Sequence, residues 1–211
     1  VRRRLAAAAG ALAVAAACAD PAAPARQAAY PFDDGFGAVF RWPASRLPVR
    51  VFADTRGPMS SLVAQGLAAW EAQFLYGEFR AALEPDSSRA DVVVTWTGTV
   101  PPDVPPDPGP PVPACGGLTT LIVDATGAAL ERPIRVTVTD LGGQPTPGQL
   151  VACFARTVTH ELGHALGLLQ HSSDPADLMA AQPLTAAPTA RDRRTVEVLY
   201  HTVPTIGPPP R

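Results

Sequence analysis

The chain has 211 residues, of which 46% are hydrophobic and 17% charged. That is enough apolar material for one packed domain and excludes a disordered chain. The formal net charge of -2 excludes a nucleic-acid binder that works through a basic surface, so no nucleic-acid partner is expected.

Arg2, Arg3 and Arg4 precede an uncharged, Ala-rich run from Leu5 to Ala17. A membrane-spanning helix needs ~20 apolar residues, and this run is shorter. A basic start, a short apolar middle and small residues at the end describe an export signal over residues 1–17. Ala15-Ala16-Ala17-Cys18 resembles a bacterial lipobox, with Ala15 where a leucine is usual. Cys18 is the candidate lipidation site, and that lipid would be the sole membrane attachment. Plain secretion is the alternative. In either case an exported protein is expected, as a cell-envelope lipoprotein or an extracellular protein.

Residues 18–37 are expected to form a flexible tether, with Ala/Pro-rich sequence and no apolar period over Asp20–Ala29. A folded domain is expected over residues 38–203. Pro48–Phe52 alternates like a strand, and Pro58 opens a helix with Leu62, Leu67, Trp70, Phe74 and Leu75 on one stripe. Glu78–Leu83 and the β-branched Asp91–Thr97 read as the second and third strands. Pro101–Pro113 holds 8 prolines and must be an extended surface loop. Leu118–Val123 and Ile134–Val138 are two further strands. A long helix is expected at about Gly148–Leu168 and a last one at about Ala190–Tyr200, followed by a disordered tail over 204–211. Trp70 and Trp96 are expected in the core, Trp42 in core or surface, and Arg191, Arg193 and Arg194 on a solvated face. The fold class is α+β, and a monomer is expected.

The long helix carries the chemistry. With Val158 at zero and 100° per residue, Val151, Phe154, Leu162, Ala165 and Leu169 fall within about 40° of it and form the core stripe. His160, His164 and Cys153 fall on the opposite face, at about 200–240°. The segment His160-Glu161-Leu162-Gly163-His164 is HExxH: two imidazoles one turn apart converge on one ion, with a carboxylate beside them. A chain of this composition would contain it by chance about 0.002 times.

The stretch from His160 to Met179, HELGHALGLLQHSSDPADLM, resembles the metzincin zinc peptidases, and within them the matrixin-like branch. The resemblance implies a twisted, mostly parallel five-stranded sheet with an active-site helix, a methionine turn and a C-terminal helix. It implies one catalytic zinc ion (Zn2+) on His160, His164 and His171, with Gly167 ending the helix and turning the chain toward His171. Asp177-Leu178-Met179 matches the methionine turn, with Met179 beneath the metal. The implied activity is a zinc metalloendopeptidase acting on peptide or protein substrates. Zinc would lower the pKa of a bound water and polarise the scissile carbonyl, and Glu161 would take the water proton and pass it to the leaving amine. Leu118–Val123 would be the cleft-side edge that pairs with substrate, and the loop Ala180–Pro188 would wall the specificity pocket.

Three features depart from the family. Gln170 occupies the usual position of the third ligand, Ala180 and Ala181 follow Met179 where an aromatic and a proline are usual, and His201 alone cannot build the second, structural zinc site of animal matrixins. Gln170, Asp174 and Glu197 are the alternatives to His171. A neutral amide is a weak zinc ligand beside imidazole, and a loop after Gly167 can absorb one extra residue, so His171 is preferred. Calcium on Asp103, Asp107, Asp124 and Asp140 is possible, but no loop has the spacing of a known site.

Cys115 and Cys153 remain after Cys18, and an exported chain can oxidise them to a disulfide. Pro113-Ala114-Cys115-Gly116 also resembles the latency cysteine of matrixin propeptides, although it sits inside the domain. Two rival functions are a surface-anchored zinc-containing binding module without turnover, against which Glu161 argues, and a zinc peptidase with Glu197 as third ligand, against which Gly167, His171 and Met179 argue.

Overall fold

Alternating apolar residues build the first strand, β1 (Val49–Ala53), which buries Val49, Val51 and Ala53 on one face. It belongs to a computed structural model that describes residues 27–107 and 109–209. The expected export signal over 1–17, Cys18 and residues 18–26 of the tether lie outside the described residues. After β1 come α1 (Met59–Glu71), β2 (Ala81–Leu83), β3 (Val92–Thr97), β4 (Cys115–Thr120), β5 (Ile134–Asp140), α2 (Pro147–Leu166) and α3 (Ala190–Tyr200). The protein is therefore α+β.

The five strands form one sheet in the order β2-β1-β3-β5-β4. All neighbours pair in parallel except β4, which runs antiparallel to β5 at the edge. Central β3 buries Val92, Val93, Val94 and Trp96, the near-continuous apolar run of a parallel strand covered on both faces. β5 alternates, burying Ile134, Val136 and Val138. α2 lies along β5 and β4, and α1 along β1 and β2. Between helices and sheet sit Phe154, Val158 and Leu162, almost wholly buried. Full burial of such a side chain contributes about 1.5–3 kcal/mol relative to exposure.

α1 and α2 touch where Gly66 faces Thr159 and Leu162. A Cβ at Gly66 would lie 3.0 Å from Leu162 Cδ1 and 3.1 Å from Thr159 Oγ1. The indole of Trp70 donates to the carbonyl of Thr159 at 2.7 Å, which fixes the middle of α2 on α1. Trp42 also belongs to the core, and its indole donates to the carbonyl of Ala165 at 2.9 Å.

Several boundaries differ from those read in the sequence: β2 starts at Ala81 and not at Glu78, and α1 ends at Glu71, before Phe74 and the exposed Leu75. The edge strand runs over Cys115–Thr120, upstream of the expected Leu118–Val123. Its register is set by pairing with β5, from Cys115 opposite Asp140 to Thr120 opposite Arg135, and this outweighs the poor strand preference of Gly116 and Gly117. Leu121 leaves the sheet, and Val123 bridges to Leu130 instead. At the N-terminal side, the packed chain begins before Ala38. The amide of Ala29 donates to Thr195 Oγ1, and Tyr30 is buried against α3. At the C-terminal side, residues expected in a disordered tail are held by backbone pairing. The amide of Gly207 donates to the carbonyl of Ala128 at 2.8 Å, and the amide of Leu130 donates back to Gly207 at 3.0 Å.

Candidate metal centre

α2 begins with a capping box. Thr146 Oγ1 accepts from the amide of Gln149, and the Gln149 side chain accepts from the amide of Thr146, with Pro147 in the first turn. The helix ends at Gly167, whose φ of 116° is left-handed. A Cβ there would also collide with the carbonyl oxygen of Phe40. Leu169, read in the sequence as part of the helical stripe, thus lies beyond the helix, and its amide donates to Phe32.

His160 and His164 leave one face of α2 a turn apart, with their Nε2 atoms 3.2 Å apart. The loop after Gly167 brings His171 back, and its Nε2 lies 3.2 Å from that of His164. The ligand atoms of all three fall within 4.8 Å of one another. Gln170 points elsewhere, donating its amide to Asp33 Oδ1 at 3.0 Å. Asp174 accepts from the amide of Ala176 and lies 3.6 Å from Arg191, while Glu197 accepts from Arg193 on α3. Among the described residues, these histidines are the only group of three or more His, Cys, Asp or Glu side chains arranged to share an ion. Asp103, Asp107, Asp124 and Asp140 form no such group.

The chemistry of the donor set fits a cation. His160 Nδ1 meets the carbonyl of Leu178 at 2.7 Å, and His164 Nδ1 meets that of Leu168 at 2.5 Å. A carbonyl only accepts, so the proton of each neutral ring sits on Nδ1 and each Nε2 keeps a bare lone pair. Two such lone pairs 3.2 Å apart repel unless an electron-poor centre lies between them. Four-coordinate zinc at 2.0–2.1 Å from each nitrogen would set its ligand atoms about 3.3–3.4 Å apart. Burial pushes His160 down to about 4 and His164 to about 3, the latter with a further contribution from His160, and lowers His171 as well. All three rings are therefore neutral donors at pH 7. His160 is buried and His171 is exposed, so the group opens to solvent on the His171 side.

The turn Asp177-Leu178-Met179 lies directly beneath. Ser172 pairs with its far end, its amide donating to the carbonyl of Met179 at 2.8 Å. Met179 is fully buried under Gly163, where an added Cβ would overlap Met179 Sδ and lie 2.7 Å from Trp70 Cζ2. The buried carboxylate of Asp192, on the first turn of α3, accepts from the amides of Leu178 at 3.0 Å and Met179 at 3.3 Å. The turn is thereby held so that the carbonyl of Leu178 can orient His160. Arg191 is exposed, as expected of a solvated face, and it also donates to the buried Asp177 at 2.9 Å.

Glu161 points from α2 toward β4 and is buried. Burial raises its carboxyl above the usual range, opposed by hydrogen bonding from Thr119. Thr119 Oγ1 lies 2.7 Å from Glu161 Oε2, and a Cβ at Gly117 would occupy the space of Glu161 Oε1. β4 and α2 are joined by the Cys115–Cys153 disulfide, with Cα atoms 6.0 Å apart, as read from the cysteine count. Cys115 is thus bonded and is not a free latency thiol.

Sequence reading did not find Gly117, Thr119, Tyr30 or Asp192. For Asp192 a signal was present: Thr189 and Asp192 have capping-box spacing, and the structure contains that box. The other three carry no local pattern. No family model matches the chain, and no curated protein matches it.

Proposed function

We propose that the protein is a zinc-dependent metalloendopeptidase of the metzincin type, matrixin-like in its site. The observation that carries this reading is the convergence of the Nε2 atoms of His160, His164 and His171, those of His160 and His164 with bare lone pairs, and the carboxylate of Glu161 on the same helix as these two. His160, His164 and His171 would hold the ion. Bound there, zinc would supply Lewis acidity toward a water and a carbonyl oxygen.

Glu161 is the general base. Its burial strengthens proton binding, which suits a group that takes a proton from water and returns it to a leaving amine. Leu178 and Leu168 orient the imidazoles through their carbonyls. β4 is an edge strand of the sheet among the described residues, beside Glu161, and its outer side would pair with an extended peptide. Leu184 and Ala186, from the loop after the methionine turn, line a cavity of about 420 Å³ with Leu62 of α1, Asp107 and Arg156; the three histidines, Glu161 and β4 are not among its lining residues.

The test is digestion of a peptide library by purified protein, with and without chelator, beside metal analysis. Zinc at one per chain and chelator-sensitive cleavage are expected, and Glu161→Ala should retain the ion and lose turnover. A Glu161→Ala chain that cleaves as fast as the parent overturns the reading.

A further inference from the structure

Glu161 meets β4 at two positions of one strand face. Residues 117 and 119 point toward α2, and Leu118 between them is exposed. At 117 the strand offers space, because any side chain there would overlap the carboxylate. At 119 it offers a hydroxyl, 2.7 Å from Glu161 Oε2 and 2.9 Å from the carbonyl of Glu161. A threonine hydroxyl has one proton to give. Of two acceptors at these distances, an ionised carboxylate is the stronger. Cys115, four positions upstream of Thr119 on the same strand, is bonded to α2, so the hydroxyl is carried by a strand fixed to the helix that bears its partner.

We infer that Thr119 is a positioning residue for Glu161: its hydroxyl holds Oε2, so that Oε1, in the gap left by Gly117, is the oxygen that meets the reacting proton. This rests on the peptidase reading above. Glutamate has three rotatable side-chain bonds, and a base displaced from its reacting proton loses much of its effect. Zinc is held by other residues, so Thr119 acts on turnover and not on ion binding.

The test compares Thr119→Val, which keeps shape and strand preference but removes the hydroxyl, with Thr119→Ser, which restores it. Thr119→Val should lower kcat about 10- to 100-fold, with KM and zinc content within about twofold of the parent. Thr119→Ser should recover most of the loss. Crystals of metal-free Thr119→Val should show the Glu161 carboxylate released from its single orientation. An unchanged kcat in Thr119→Val, or an unchanged Glu161 orientation in the metal-free crystals, overturns the inference. A parent that binds zinc and cleaves no peptide overturns the peptidase reading instead, and the metal-free crystals then still decide whether Thr119 holds the carboxylate.

Discussion

The phenol of Tyr30 donates to Asp192 Oδ1 at 2.6 Å, joining the start of the packed chain to the first turn of α3. The same carboxylate accepts from Leu178 and Met179, and the carbonyl of Leu178 orients His160. Burial and the adjacent Asp192 hold the phenol protonated far above its usual range, so it remains a donor at any working pH. Tyr30→Phe removes one hydrogen bond to a buried charge and should cost about 1.5–3 kcal/mol. Urea unfolding should show a lower midpoint with an unchanged slope.

Gly117→Ala is expected to lower peptide turnover without loss of the ion. Its Cβ would fall on the Glu161 carboxylate, which must move, while His160, His164 and His171 are untouched. A fall of about 10-fold or more is expected. Turnover equal to the parent would mean that Glu161 works from some other position.

His171→Ala and Gln170→Ala separate the two candidates for the third ligand. His171 Nε2 lies 3.2 Å from His164 Nε2, whereas Gln170 bonds Asp33. Loss of His171 should weaken zinc binding by more than about 100-fold, since removing a partner behind a ligand already costs 10- to 100-fold. Gln170→Ala should bind zinc nearly as the parent does. Competition against a chromophoric chelator measures both, and the reverse result would refute the assignment.

Asp177 makes stability depend on acid. Burial alone would raise its carboxyl, but hydrogen bonds from Ser172, Arg191 and Thr189 hold it below the usual range. A carboxyl depressed on folding stabilises fully above its unfolded pKa of about 4, and this contribution is lost as pH falls through the folded value. Asp177→Asn should cost about 1.5–3 kcal/mol at pH 7. Below about pH 4 its unfolding free energy should fall less steeply than the parent's. Parallel curves from pH 7 to pH 2 would remove Asp177 from the account.

His171, beyond the helix, was read from the metzincin resemblance, whereas His160, His164 and Glu161 were legible because helical spacing is local: residues at i and i+4 share a face whatever the rest of the chain does. The long helix and β3 were legible for the same reason. β4 was legible only over Leu118–Thr120, because Gly116 and Gly117 are strand residues only through pairing with β5 and the closeness of Glu161. The anchoring of the N-terminal segment was hidden as well. It rests chiefly on one aromatic in an Ala/Pro context, whose partner lies 162 positions away. Sequence distance also hid Thr119, which meets Glu161 across 42 positions.

Gly163 is one of the two unspecified letters of HExxH, and it supplies no donor, charge or proton. Yet Met179 Sδ and the Trp70 ring occupy the volume where its side chain would begin. That position is closed to drift by the neighbours beneath it and not by the side chains of the metal centre above it. A library randomised at Leu162 and Gly163 should therefore tolerate other apolar residues at 162, where the side chain enters a packed core, and return almost nothing but glycine at 163.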